Sequence, residues 1–420
     1  MKLKGNNPWL WVPTLYLFEG IPYDVVNNIS LVMFKDMGMP NDRLSIYTSL
    51  LSIPWVLKIV LSPFVDSVAS KRQWATLMQV LMVVCTLALA LLLPKCSLSL
   101  LLILFSITAF ASATHDIAAD GYYMLALDDH QQSLFVGIRS TFFRIATVCG
   151  QGLIVVLAGK LEKSMAINTA WSFTLVAVAS ILALIALWDL LFLPRPAADS
   201  KKSAVSSRVV FRNLAESFIT FFTKKGIIVT ILFLLLYRLP EAFSVKMLVP
   251  FMKDPLSAGG LGLSTEQVGW IYGTVGTIAL TVGGILGGIL ASRYGLKKCL
   301  WPMALSLALP CAVYLYLAVA QPHSLVPIYL CITLDQFGYG LGFTAYTLYM
   351  LYFSRGSYQT SHYAFCTVLM TFSMLLPGLV AGKLQMSLGY TGFFVMVLIC
   401  CLVTVGATLL VKVDPEYGKK

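Results

Sequence analysis

The sequence predicts an all-α polytopic membrane protein with twelve transmembrane helices in two six-helix halves. Three observations lead there: the composition, apolar stretches of spanning length along the whole chain, and short motifs that recur at nearly one offset. Hydrophobic residues make up 58% of the 420 and charged residues only 12%, about half the charge that a soluble domain carries. Apolar stretches long enough to cross a hydrocarbon core of about 30 Å fall at 9–34, 44–64, 74–94, 98–126, 137–160, 168–194, 227–251, 266–292, 299–320, 324–352, 362–388 and 391–412. Short segments rich in Gly, Pro and charge separate them.

The first stretch follows a basic start, MKLKGNNPW. It is long, carries Glu19 and Asp24 and is followed by no small-residue cleavage pattern, so it reads as a span and not as a cleaved leader. Helical spacing places Glu19, Tyr23 and Asn27 on one face and Asp24 and Asn28 on another, and Gly20-Ile21-Pro22 predicts a kink between them. An interrupted helix near a repeat interface points to a binding site. The fourth stretch holds Asp116 and Asp120, four residues apart and therefore on one helix face. A single Asp at the centre of a bilayer costs about 2.5 to 3.5 kcal/mol, so the pair is expected to line an aqueous path. Neighbouring acids out of bulk water can trade a proton, and the alternative is that both hydrogen-bond neighbouring helices and fix packing. His115 beside them is expected to be a buried imidazole with its hydrogen bonds satisfied.

In the fifth stretch Ser140, Arg144, Thr147 and Gln151 form a polar stripe. Arg144 at its centre either pairs with an acid or grips an anionic group of a solute. The seventh stretch is interrupted at Arg238-Leu239-Pro240-Glu241, where the two charges one turn apart form either a self-contained pair or a gate. Asp335 opens the glycine run Gly338, Gly340 and Gly342 of the tenth, and Gly283, Gly284, Gly287 and Gly288 of the eighth suit close helix packing. Lys58 and Lys246 are expected to snorkel or to pair locally. The nine cysteines are scattered and form no CxxC pair or metal-like spacing, so neither a metal nor a disulfide is expected. No phosphate loop, zinc motif or nucleophile elbow occurs, and no extramembrane segment is long enough for a soluble catalytic domain. An enzyme is therefore not expected.

The net charge of +11 reports topology. Counted with the span ends that border them, one set of alternating loops holds Lys35, Arg43, Lys95, Lys160, Lys163, Lys253 and Lys383, and the other set, with both tails, holds the remaining Lys and Arg apart from Lys58, Arg144, Arg238 and Lys246 within spans. The positive-inside rule puts both termini in the cytoplasm. No folded basic domain exists to bind nucleic acid. Between the halves, 195–226 begins as a small, polar, basic linker. It ends with Val210, Leu214, Phe218 and Phe221 on one stripe, an amphipathic helix that lies on the cytoplasmic leaflet or packs on the bundle.

Four motif pairs argue for duplication. Lys35-Asp36 follows Pro22 as Lys253-Asp254 follows Pro240, at offset 218, and Ala158-Gly159-Lys160-Leu161 returns as Ala381-Gly382-Lys383-Leu384 at offset 223. Lys71-Arg72 returns as Lys297-Lys298 and Tyr123-Met124-Leu125 as Tyr349-Met350-Leu351, both at offset 226. The halves are thus 1–194 and 227–420. Six spans each is an even number, so they insert the same way up, the parallel repeat of the major facilitator fold, with solute near the midplane.

The stretch Thr114-His115-Asp116-Ile117-Ala118-Ala119-Asp120-Gly121-Tyr122 resembles the T-Q-D-I-x-x-D-A signature, closed by Tyr or Trp, of AmpG-type muropeptide permeases and the related acetyl-CoA transporters of the major facilitator superfamily. Lys58, Pro63, Asp66 and Lys71-Arg72 sit where that family has a K-x-L-W, P-x-x-D and basic-cluster pattern. The resemblance spans essentially the whole chain, and its wording is similar to a branch common in Bacteroidetes-type bacteria. It implies the bacterial cytoplasmic membrane, with Asp116 and Asp120 at the positions of the acids tied to proton-coupled uptake of anhydromuropeptides. His115 and Gly121 replace the family's Gln and Ala. In the superfamily's loop pattern Ser67 and Ala69 stand for Arg and Gly, while Arg293 and Gly295 are kept in the repeat without the Asp.

The combined expectation is a monomeric symporter in a lipid bilayer that uses no cofactor and is driven by the proton gradient to import a small-molecule solute, a muropeptide-like amino-sugar peptide. Asp116 and Asp120 would carry the proton. Glu19, Tyr23, Asp24, Asn27, Arg144, Gln151, Arg238, Glu241 and Asp335 would line the cavity. Asp66, Lys71, Arg72, Arg293, Lys297 and Lys298 would gate it. The alternatives are another anionic cargo (acetyl-CoA, a peptide or a sugar) on the same fold, or a membrane sensor or scaffold that transports nothing.

Overall fold

The structure is a computed structural model that describes residues 7–95, 97–127, 129–195, 199, 207–356, 358–415 and 417. Among them every regular element is helical. Eight helices are long and apolar enough to cross a membrane: Lys71–Leu92, Leu98–Ala126, Thr141–Leu161, Ile167–Phe192, Ile227–Lys253, Thr265–Tyr294, Leu296–Ala320 and Ser361–Leu410. The last continues through Gly389, whose φ of 67° breaks the helical path, and so covers both stretches expected at 362–388 and 391–412. Leu325–Ser354 fills the expected tenth stretch. Leu184, Ile228, Val319 and Leu402 belong to a broad set of exposed apolar side chains, the surface that acyl chains cover in a bilayer.

The first two expected spans are built from shorter pieces. Val12–Asp24 runs helically through Pro22, and a π-helical turn, Val25–Ile29, follows it before Ser30–Asp36. The break therefore falls after Asp24 and not at Gly20-Ile21-Pro22. Gly20 serves close packing, because a Cβ there would lie 2.5 Å from the Ala146 Cβ. The second stretch divides into Asn41–Leu50, Ile53–Val56 and Lys58–Val68. The seventh breaks where expected: Ile227–Leu236 stops, Arg238 stands as N-cap, and Leu239–Lys253 restarts with Pro240 in its first turn, where its missing N–H does no harm. Ser70 starts Lys71–Leu92 with a capping box shared with Gln73.

The chain folds into two compact units, Met1–Met33 with Leu51–Arg212, and Phe34–Leu50 with Asn213–Lys420. The first unit has an aromatic core of Trp11, Tyr16, Tyr122, Tyr123 and Phe135. A fully buried acid, Asp189, accepts from Thr14 Oγ1 at 2.5 Å and from Gln79 Nε2 at 2.7 Å. In the second unit the eighth and tenth stretches approach backbone to backbone. A Cβ on Gly283 would collide with the Phe337 carbonyl, and one on Gly340 with the Leu280 carbonyl, the close approach that small residues permit.

These units differ from the sequence halves in one place: residues 34–50 fold with the carboxy-terminal half. The repeated dipeptide explains it. Lys35 Nζ lies 2.5 Å from Asp254, and Lys253 pairs with Asp36, so each copy of Lys-Asp neutralises the other. Thr265 Oγ1 adds bonds of 3.2 and 3.1 Å to Asp36. Asn41 Nδ2 donates to Gln385 Oε1 at 2.7 Å and to the Tyr390 hydroxyl at 3.0 Å. Gly382 has no Cβ to strike the Asn41 carbonyl, and its N–H donates to Ser45 Oγ at 3.0 Å.

The linker's second part forms the helix Ser207–Phe222. Its carboxy-terminal end packs on the bundle: Phe221 is fully buried against Phe353, Phe365 and His362, while Phe218 and Phe222 stay largely exposed. Lys224 Nζ closes that end on the Phe353 and Arg355 carbonyls at 2.7 and 2.9 Å. Val210 and Leu214, the other two members of the expected stripe, have side chains outside the described ones.

Candidate transport site

The helix Leu98–Ala126 presents Asp116 and Asp120 on one face, and Val12–Asp24 brings Tyr16 and Glu19 against it. Carboxylate oxygens of Glu19, Asp116 and Asp120 lie within 4.8 Å of one another. Two cations answer them. Lys58 Nζ is in contact with Asp116 Oδ2, and a guanidinium nitrogen of Arg139 lies 2.9 Å from Asp120 Oδ1. The Tyr16 hydroxyl donates to the same Asp120 oxygen at 2.9 Å. The Arg139 guanidinium also stands over the Tyr16 ring at 4.6 Å and the Tyr123 ring at 5.3 Å, a position that holds it in place without a second acid. Glu19 Oε2 is enclosed and has no hydrogen-bond partner.

The cluster therefore has three acids and two bases, and Glu19 is the acid with no cation in contact. Three oxygens this close are compatible in size with a bound cation. Lys58 and Arg139 already occupy two of the acids, however, so a metal ion would have to displace both, whereas a single proton restores neutrality with no rearrangement. Side-chain exposures of 30% and 18% in the Lys58–Asp116 pair, and 29% and 39% in the Arg139–Asp120 pair, leave the cluster partly accessible.

The other expected site residues divide by their surroundings. Asp24 is wholly buried. Its Oδ1 accepts from Asn28 Nδ2 at 2.5 Å and from Gln151 Nε2 at 3.3 Å, and Gln151 itself is half-buried. Gly150 makes room for that carboxyl, since a Cβ there would lie 2.6 Å from Asp24 Oδ2. Asn27 accepts from Ser52 Oγ at 3.0 Å, and Tyr23 packs edge-on to Trp55 at 5.2 Å. Arg144 is exposed and makes no hydrogen bond or ion pair among the described residues. Arg139, not Arg144, neutralises the acid pair.

His115 is fully buried as expected, but neither ring nitrogen finds a partner, and the Phe18 ring lies 5.4 Å away. In the second unit Arg238 and Glu241 form a closed bidentate pair at 2.9 and 3.2 Å, with 4% and 6% of their surface exposed. The Tyr339 hydroxyl accepts from Arg238 at 2.9 Å, and the Phe343 ring lies 4.9 Å from its guanidinium. Asp335 is buried, accepting from the Tyr314 hydroxyl and from Gln336 Nε2.

Of the expected gating residues, Arg72 Nε and Nη2 donate to the Leu193 and Leu190 carbonyls at 3.1 and 2.9 Å. The backbone N–H groups of Lys71 and Arg72 both donate to Asp199, at 2.7 and 3.0 Å. Arg293, Lys297 and Lys298 are exposed. The Asp66 side chain lies outside the described ones. Eight cysteines are described, and all are free thiols. Sequence reasoning passed over Arg139 because, at the border of the fifth expected stretch, it was counted with the basic residues of the adjoining loop, whereas it lies well inside the helix Asp129–Thr147. It passed over Tyr16 because a tyrosine in an apolar run carries no signal of its own.

Comparison with known proteins addresses the family and the fold. The chain is 23% identical over 396 residues, 92% of each chain, to a putative transporter AmpG 4 of Rickettsia conorii. It is 24% identical over 353 residues to the anhydromuropeptide permease of Escherichia coli, covering 83% of this chain and 68% of that one. The crystal structure of a bacterial homolog to the human lysosomal transporter Spinster superposes with a TM-score of 0.72 at 14% identity, covering 97% of this chain and 96% of that one. The sequence profile of the Major Facilitator Superfamily matches residues 15–239, more than half of the chain, and the chain belongs to that superfamily of membrane transporters.

Proposed function

We propose that this transporter is a proton-coupled symporter of the bacterial cytoplasmic membrane that imports muropeptide-like amino-sugar peptides as a monomer, with both termini in the cytoplasm. The observation that carries the reading is the charge count of the acid cluster. Asp116 and Asp120 each hold a base, Glu19 does not, and the surplus negative charge lies among side chains that water reaches. A charge in a span is retained where it faces an aqueous path and does work there. A proton from the outer side neutralises Asp116, Asp120 and Glu19 as a unit, and its release on the cytoplasmic side restores the surplus.

Arg144 supplies the second half of the reading. An exposed guanidinium on a spanning helix is costly against acyl chains. With the acid pair already matched by Lys58 and Arg139, it is available to a carboxylate of the solute, for which its planar fork is suited. The similarity to the Escherichia coli anhydromuropeptide permease supports a muropeptide as the cargo. Uptake by purified protein in proteoliposomes, with and without an inward acid gradient, tests both parts, with anhydromuropeptide set against free peptide and acetyl-CoA. Gradient-dependent accumulation of the muropeptide is the expected result. Equal accumulation without the gradient would refute coupling, and preference for another cargo would reassign the solute.

A further inference from the structure

The helix Leu239–Lys253 carries three basic groups at or near its ends and middle, counting its N-cap Arg238, and two of them are matched. Arg238 is closed on Glu241, and Lys253 is closed on Asp36 with Thr265 alongside. Lys246 is not. It has 8% of its surface exposed, and it makes no hydrogen bond or ion pair with any described residue. Beside it, on Asn41–Leu50, the Ser49 hydroxyl is enclosed and also without a partner.

The two groups meet at one point of the long helix Gln359–Leu410. A Cβ on Gly378 would strike Ser49 Oγ and would come within 3.2 Å of Lys246 Cε, so the absence of that Cβ leaves both groups beside the same bare patch of backbone. All three residues belong to the second unit. A largely buried lysine without a counter-charge is costly to keep, and so is an enclosed hydroxyl without a hydrogen bond. Methionine or leucine would fill the same volume at neither cost.

We infer that Lys246 and Ser49 form an anion-binding subsite that takes a carboxylate of the transported solute. An ammonium and a hydroxyl side by side supply up to four donor hydrogens. That suits the two oxygens of a carboxylate. The inference rests on the proposed transport of a solute bearing a carboxylate, and it adds a recognition group in the second unit to Arg144 in the first.

The test uses binding and not flux, so that it is separable from proton coupling. Full-length protein in detergent is titrated with N-acetylmuramate and with N-acetylglucosamine, sugars that differ by the lactyl carboxylate, with equilibrium dialysis as the readout. Wild type is expected to bind the carboxylate-bearing sugar about tenfold more tightly. Lys246→Met should bring the two affinities together by weakening N-acetylmuramate alone. Lys246→Arg should keep most of the preference, and Ser49→Ala should reduce it a few-fold. The subsite is overturned if wild type shows no preference, if Lys246→Met retains it, or if that variant loses the neutral sugar equally, which would mark Lys246 as structural. If Lys246→Met does not fold, Lys246→Arg and Ser49→Ala carry the same comparison. Loss of gradient-driven uptake with the carboxylate preference intact would sink the coupling and leave the subsite standing.

Discussion

The two units handle charge within the bilayer in opposite ways. In the first unit an acid is left over: Glu19 shares space with Asp116 and Asp120, while only Lys58 and Arg139 answer the three. In the second unit the acids are settled, Glu241 on Arg238 and Asp335 on Tyr314 and Gln336, and a base, Lys246, is left over. A surplus acid suits a proton and a surplus base suits an anion.

The sharpest way to break this contrast is to remove the surplus on the acid side. Asp116→Asn and Asp120→Asn should each reduce gradient-driven accumulation in proteoliposomes to passive equilibration, with folded protein still recovered by size-exclusion chromatography, and Glu19→Gln should do the same while leaving both ion pairs intact. Normal accumulation by all three variants would end the proton role of the cluster. The next largest effect falls on stability in the second unit. Glu241→Ala leaves the Arg238 guanidinium buried without its counter-charge and should cost about 3–5 kcal/mol, read as a fall in thermal midpoint in detergent. A paired replacement of Arg238 and Glu241 by methionine should recover most of that loss if the pair is closed and structural, and a recovered midpoint with transport lost would instead mark the pair as part of the solute path.

Gly378→Ala places a methyl group against Ser49 Oγ and should cost about 1–3 kcal/mol by overpacking, with a matching loss of N-acetylmuramate preference. Lys253→Asp juxtaposes like charges with Asp36, and adding Asp36→Lys should restore about 1–3 kcal/mol of that loss, the coupling to be measured in a double-mutant cycle. Smallest of all, Arg293→Gln alters an exposed side chain and should leave the midpoint within about 0.5 kcal/mol equivalent.

The helical architecture was legible in the sequence because apolar length and helical periodicity are local properties. The four-residue spacing of Asp116 and Asp120 shows one face without any tertiary information, and the Pro240 interruption appears where the residues announce it. Partnership was not legible, because it depends on which helix arrives from elsewhere in the chain. Arg139 lies five residues from Arg144, at the border of the fifth expected stretch, where it was counted with the charges of the adjoining loop; the helix begins at Asp129 and not at 137. The kink forecast at Pro22 moved beyond Asp24 into a π-helical turn, where Asn28 and Gln151 meet the buried carboxyl. Lys246 was expected to snorkel or to pair locally, and only the fold shows that it makes no hydrogen bond or ion pair with any described residue and packs beside Ser49 and Gly378. The repeated Lys-Asp dipeptide was visible as a repeat, whereas its crosswise exchange needed the fold.

That exchange has a consequence for how such a contact is maintained. Lys35-Asp36 and Lys253-Asp254 present the same two groups in the same order, so each segment is its own complement. A contact of this kind has the self-matching property of a two-fold dimer interface, now enclosed within one polypeptide. Drift in one copy is penalised unless the other drifts to match, which ties the two segments to a shared history.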